Sequence, residues 1–178
     1  MSNYNRVIDV KLTNDGTVVE PVTLATAKLY ARVQTGSTED DLFNLFITSA
    51  RMAIEKLTGL SLIAKTVKLT FESPVGMFSL PYGPVKDAPP PVYKNSQATV
   101  ITPTVLGYDF PVIEDDLNGV NTAEYSTGYT TIPEELKVAI LDQVVFLYEN
   151  RGDNSDSSTV CSKAQKVCQR YSRIAFFN

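Results

Sequence analysis

The chain contains no histidine, and that single absence removes more chemistry than any residue present supplies. It takes away the side chain that titrates near neutrality, the base of Ser/His and Cys/His nucleophile pairs, and the commonest metal ligand. With only two cysteines, one chain cannot build a tetrahedral zinc site either. Positive charge is also scarce: 16 Lys and Arg stand against 20 Asp and Glu, a net charge of −4 with a pI near 4.9. Such a balance argues against a partner recruited by bulk attraction to phosphates. No run of about eighteen apolar residues occurs, and the stretch Met1-Ser2-Asn3-Tyr4-Asn5-Arg6 lacks the regions of a signal peptide. The expectation is a soluble protein made in the cytosol, with no membrane partner. Phosphate-cradling glycine motifs and nucleophile elbows are missing as well.

What is present is 178 residues, 43% hydrophobic, enough for one good core. Thr23 reads as the N-cap of a first helix over about 23–34, with Leu24, Ala27, Leu29, Tyr30, Ala31 and Val33 on its apolar side. Thr38 reads as the N-cap of a second helix to about 58, with Glu39, Asp40 and Asp41 in its first turn and Gly59 as its stop. From Leu60 the period becomes two: Val67, Leu69 and Phe71 alternate with polar residues, predicting a half-buried antiparallel strand. Further short strands are expected at Met77 to Leu80, Val92 to Lys94, Thr99 to Thr102, Tyr108 to Val112 and Val120 to Ser126. Asn118-Gly119 is the best turn signal and predicts a hairpin joining Pro111-Val112-Ile113 to the strand at Val120. Ala88-Pro89-Pro90-Pro91 reads as an extended connector.

A third helix, about 133–150, starts at Pro133 with Glu134 and Glu135 in its first turn and has Gly152 past its end. Leu136, Ile140, Val144 and Leu147 form one apolar stripe; Val138, Leu141, Val145 and Tyr148 form a second beside it. Two stripes predict burial on two sides. Either this helix is central to its own core, or its second flank meets a neighbouring subunit. The segment 153–159 is polar and acidic, a linker, and a last helix follows with Val160, Cys161, Ala164, Val167, Cys168, Tyr171 and Ala175 on one face. Lys163, Lys166, Arg170 and Arg173 lie opposite, the one concentration of positive charge. The two cysteines lie about 10.5 Å apart along a helix, too far to bridge, and read as small buried hydrophobes. The acidic clusters Glu39-Asp40-Asp41, Asp115-Asp116 and Glu134-Glu135 read as solvated groups, two of them serving helix N-termini. Neither a catalytic site, nor a metal site, nor a cofactor is expected.

The order of these signals resembles the tailed-bacteriophage head-tail connector proteins, the adaptor or head-completion family. The resemblance is carried by Pro21-Val22-Thr23-Leu24-Ala25, Ala27-Lys28, Arg32-Val33, Asp40-Asp41-Leu42, Ala50-Arg51 and Thr58-Gly59. It continues through Leu80-Pro81, Tyr125-Ser126-Thr127-Gly128-Tyr129, Ile132-Pro133, Leu136-Lys137, Ala139-Ile140 and Tyr148-Glu149-Asn150-Arg151. Thr26 stands where a capping-box glutamate is often found, and Ala88 to Pro91 with Asn95-Ser96-Gln97 replaces a glycine-bearing turn.

The resemblance implies a non-enzymatic ring component of the virion neck, made in the bacterial host cytoplasm. It would bind the portal protein, offer a surface to a tail-side neck or stopper protein, and let DNA pass without specific binding. The ring would be a dodecamer, with the free protein a monomer. The expected fold is α+β: a helical bundle body with a small antiparallel β element over residues 1–152, then a linker and amphipathic helix over 153–178. Lys163, Lys166, Arg170, Tyr171 and Arg173 are the expected portal-docking residues; Val138, Leu141, Val145 and Tyr148 are the expected subunit interface. The competing reading is a small nucleic-acid-binding module using the basic helix; an acid-dependent hydrolase ranks third.

Overall fold

A computed structural model describes residues 5–16, 18–33, 36, 38–73, 76–115, 117, 119–151 and 160–172. Its elements in chain order are β1 (Arg6–Asn14), α1 (Leu24–Tyr30), α2 (Asp40–Thr58), β2 (Lys65–Glu72), β3 (Met77–Ser79) and β4 (Val92–Lys94). There follow β5 (Val100–Ile101), β6 (Thr104–Leu106), β7 (Val112–Glu114), β8 (Val120–Thr127), α3 (Glu134–Glu149) and α4 (Ser162–Arg170). They group into two compact units, Met1–Val18 with Ile63–Tyr129 and Val19–Leu62 with Thr130–Asn178. The class is α+β, but one unit is all strands. Sheet is therefore a body in its own right, where a small element on a helical bundle was expected.

In the strand unit a five-stranded antiparallel sheet has the order β1-β2-β8-β4-β5, and a three-stranded one the order β3-β7-β6. The alternation at Val67, Leu69 and Phe71 puts all three in the core, opposite Tyr125, Ala123 and Asn121 of β8. Tyr93 of β4, Phe78 of β3 and Ile113 of β7 complete that cluster, with the Phe71 and Phe78 rings 4.1 Å apart. The Tyr125–Tyr129 stretch is shaped by what it holds. Tyr125 Oη donates to the Pro81 carbonyl at 2.5 Å, Thr127 Oγ1 to those of Pro84 at 2.8 Å and Tyr82, and the Gly128 amide to Pro84 at 3.0 Å. Gly128 has φ +117, and a Cβ there would stand 2.4 Å from the Ile63 carbonyl oxygen, so only glycine fits without movement.

Three β expectations are overturned. Strand β1 was not foreseen. Tyr108 to Val112 is not a strand; the pairing segments flank it, as β6 and β7. Nor does a hairpin join Val112 to Val120: β7 pairs with β3 and β6, while β8 pairs with β2 and β4. Gly119 does take a positive φ of 82, while Asn118, the other half of the expected turn, lies outside the described residues.

In the helical unit α2 packs on α1, α3 and α4, and α3 on all three others. Thr23 caps α1 as expected, its Oγ1 accepting from the Thr26 amide at 3.1 Å and touching the Thr26 hydroxyl at 2.8 Å. That hydroxyl pair occupies the place of the capping-box carboxylate. The helix ends at Tyr30, short of 34, because Arg32 turns left-handed at φ 55. Val33 N–H then reaches the Lys28 carbonyl at 3.0 Å and Arg32 N–H that of Leu29 at 3.1 Å, a Schellman closure with arginine in the usual glycine place. Helix α2 starts on Glu39, not Thr38, and stops as expected at left-handed Gly59, φ 74. Pro133 is the N-cap of α3, so the helix begins at Glu134, one residue later than expected, and Asn150 ends it by donating from Nδ2 to the Phe146 carbonyl at 2.8 Å. Gly152, the 153–159 linker, Arg173 and Ala175 lie outside the described residues.

Candidate interaction surfaces

Helix α4 lies on its neighbours through Ala164 and Cys168, both fully buried. Its first turn is fastened by a residue the sequence did not single out: Gln143, buried on α3, accepts at Oε1 from the Cys161 amide at 2.7 Å. Its last turn is fastened by Glu135, which meets Arg170 at 3.3 Å and accepts from Tyr171 Oη at 3.2 Å. Of the expected portal-docking residues, Lys163, Lys166 and Arg170 are exposed and Tyr171 is half-buried. Arg170 and Tyr171 thus share one acidic partner on α3, leaving Lys163 and Lys166 on the open face. Burial, with a smaller contribution from neighbouring Cys161, pushes the Cys168 thiol from 9.0 up to about 11, so it stays protonated at neutral pH.

The α3 flank is mostly covered within the chain. Leu141 is buried, Val145 and Tyr148 are half-buried, and Val138 is exposed. The Tyr148 ring lies 4.9 Å from that of Phe43, its Oη donates to Glu39 at 3.1 Å, and the Arg151 guanidinium sits 4.4 Å over it. One helical turn from Val138, Asp142 accepts from Tyr30 Oη at 2.9 Å, which is the first cause of a raised Tyr30 pKa, burial being the second. Helices α1, α2 and α4 pack on α3 and leave Val138 as the exposed member of the second stripe.

Four carboxylates of the acidic clusters have structural partners. Asp40 is paired with Lys28, a buried ammonium that also donates to the Gly36 carbonyl at 2.5 Å. Glu39 takes Tyr148, Glu134 takes Lys137 at 2.7 Å, and Glu135 takes α4; Asp116 lies outside the described residues. A further network was not legible in the sequence. Arg51 donates from Nε to Glu20 at 2.8 Å and from Nη1 to Glu55 at 2.7 Å, while Glu55 accepts from the Leu62 amide at 2.8 Å. Among the described residues no three of His, Cys, Asp and Glu gather to hold a metal, and no helix is long and apolar enough to cross a membrane. An open trough of about 280 Å³ lies over the outer face of the five-stranded sheet, lined by Asp9, Lys68, Thr70, Lys94 and Glu124 among others. Lys68 and Glu124 are paired across it at 2.9 Å.

These surfaces belong to an α+β fold with a five-stranded antiparallel sheet and a four-helix unit, and solved chains of that fold are known. One is described as "Neck of empty GTA particle computed with C6 symmetry": TM-score 0.69, 20% identity, covering 91% of this chain and 95% of that one. A second, "Virion of native gene transfer agent (GTA) particle", has a TM-score of 0.64 at 20% identity, covering 90% and 94%. A third, "Neck of native GTA particle computed with C12 symmetry", has 0.55 at 19%, covering 88% and 94%. At such identities the likeness defines a shared fold. No family model and no curated protein matches the sequence.

Proposed function

We propose that this chain is a structural neck protein of a phage-type particle, forming a ring between the portal and the tail-side proteins, sealing the filled head and conducting DNA. The observation that carries the reading is likeness over about nine-tenths of both chains to two chains described as necks, one computed with sixfold and one with twelvefold symmetry. The order of short motifs from Pro21 to Arg151 supports it from an independent side. A net charge of −4 suits a conduit, since a lumen of the same sign as DNA does not hold the phosphates sliding past it. The role is structural and asks for no catalysis.

Within this reading the segment 160–178 docks on the portal, led by Lys163 and Lys166 with Arg170, Tyr171 and Arg173. The α3 flank meets a neighbouring copy through Val138, with Val145 beside it and Leu141 and Tyr148 behind. The free protein is a monomer, and copies join on the portal into a dodecamer. Imaging of purified particles is expected to show density for this chain at the neck; its absence there would overturn the reading. Deleting Val160 to Asn178 is expected to abolish binding to filled heads, and unchanged binding would dismiss the docking assignment. Steeply salt-dependent binding of the free protein to duplex DNA would instead favour the nucleic-acid module.

A further inference from the structure

We propose that β1 is the sheet edge to which the next copy of this chain adds its own edge strand, so that neighbouring sheets join side by side around the ring; this rests on the neck reading above. Among the described residues β1 pairs only with β2, so the backbone N–H and C=O groups along its other side have no ladder partner there. It is a fixed strand and not a loose arm. Asn5 Nδ2 donates to the Met77 carbonyl at 2.6 Å and Arg6 meets Glu72 at 3.3 Å at one end. At the other, the Asp15 amide donates to Ala64 at 3.1 Å and Thr66 Oγ1 to the Asp15 carboxylate at 2.5 Å.

The register decides which way its side chains face. Val7, Val10 and Leu12 stand opposite Phe71, Leu69 and Val67, all core residues, so they lie on the core side of the sheet. Yet they are 37–47% exposed, and Ile8, at the bulge between Val7 and Asp9, is 45% exposed. The apolar layer therefore runs one strand beyond its cover. Free edges are normally blunted by shortness, proline, inward charge or a bulge; this nine-residue strand has the bulge at Ile8, but no proline and no charged side chain on its core-side face. An edge left so apolar marks a place where another strand belongs.

The occupant follows from the opposite end of the same strand order. There the edge is β5, with Val100 63% exposed, and the other sheet ends nearby in sequence at β6, with Val105 and Leu106 exposed. Two unlike apolar edges on one unit make a head-to-tail contact that repeats and closes into a ring when its rotation permits; a β1 to β1 contact would stop at a dimer. The size of the contact points the same way. At about 3.4 Å per residue the nine-residue edge extends about 30 Å, but β5 spans only two residues, so the strand contact lies well under the ~800 Å² per partner typical of a stable pair. Such an edge does not hold free copies together, but it joins copies that a template already aligns.

The test uses assembled particles carrying Val10→Cys with Val100→Cys in a Cys161→Ser, Cys168→Ala background, oxidised mildly, and a second variant, Val7→Lys with Leu12→Lys. The lysine variant, if its unfolding midpoint as free protein matches the parent, is expected to enter necks about 10-fold less or worse. The cysteine pair is expected to give a ladder of joined copies beyond the dimer in particles and none in dilute protein. Normal entry of the lysine variant into necks would overturn the inference, as would cross-links only to a different protein. Failure of the neck reading is distinct: imaging would then find no copies of the parent chain at the neck.

Discussion

Arg51 is the residue whose removal is expected to cost most. Its side chain is 7% exposed and links Glu20 to Glu55, itself 8% exposed, so Arg51→Ala leaves a carboxylate buried without its cation. A loss of about 3–5 kcal/mol in urea unfolding is expected. Tyr93 presents the opposite case. Its hydroxyl is buried with no hydrogen-bond partner among the described residues, and burial pushes it from 10.0 to about 12. Tyr93→Phe is therefore expected to leave stability at pH 7 unchanged or raise it by about 1 kcal/mol. Because the folded-state pKa values of Tyr93 and Cys168 are both raised, the folded form holds those protons more tightly than the unfolded chain. Their contribution is full below the ordinary values and is lost as pH rises, from 9.0 to about 11 for Cys168 and from 10.0 to about 12 for Tyr93. Denaturation midpoints are expected to fall above about pH 9, and Tyr93→Phe to flatten the upper half of that fall. Gly128→Ala forces both a strained φ and a backbone contact, and about 2–3 kcal/mol of destabilisation is expected by thermal melting.

At the scale of elements, what was legible and what was not divide along a physical line. Helices announce themselves locally: Thr23, Asp40, Asp41, Gly59, Glu134 and Glu135 act on backbone groups within one turn, so sequence alone located α1 to α3. Where a local signal was replaced by another residue, as Arg32 replaces glycine at the end of α1, the boundary moved. Strand β1 was missed because the bulge at Ile8 puts two apolar residues side by side and breaks the period of two. Asn118-Gly119 signalled a turn but could not say which strands it served, since pairing is decided by distant residues. The family-type motifs are likewise explained by contacts only the fold reveals: Tyr125 and Thr127 grip Pro81 and Pro84, and Tyr148 and Arg151 surround Glu39. Gln143 gave no signal, as a polar residue inside an apolar pattern reads as noise until its partner is known, and Glu135 signalled a helix start but not its hold on α4. Their role predicts that Ala164→Glu, by placing a charge where α4 has no room for one, frees that helix. Hydrogen exchange across Ser162–Arg170 is expected to rise at least 10-fold while α2 keeps its protection.

For the molecule as a whole, each unit is assembled from two separate lengths of chain, and the sheet unit needs both the first residues and those up to Tyr129. Light scattering on dilute protein is expected to give the mass of one chain, 19.6 kDa, and a stable ring without portal would contradict that. The pairing of Arg6 with Glu72, 66 positions later, also has a consequence during synthesis. At about 5–20 residues per second, a ribosome releases β1 roughly three to thirteen seconds before its partner exists. Until then the apolar side chains of β1 have no neighbouring strand to pair with, and soluble yield on expression depends on whatever shelters them in the interval.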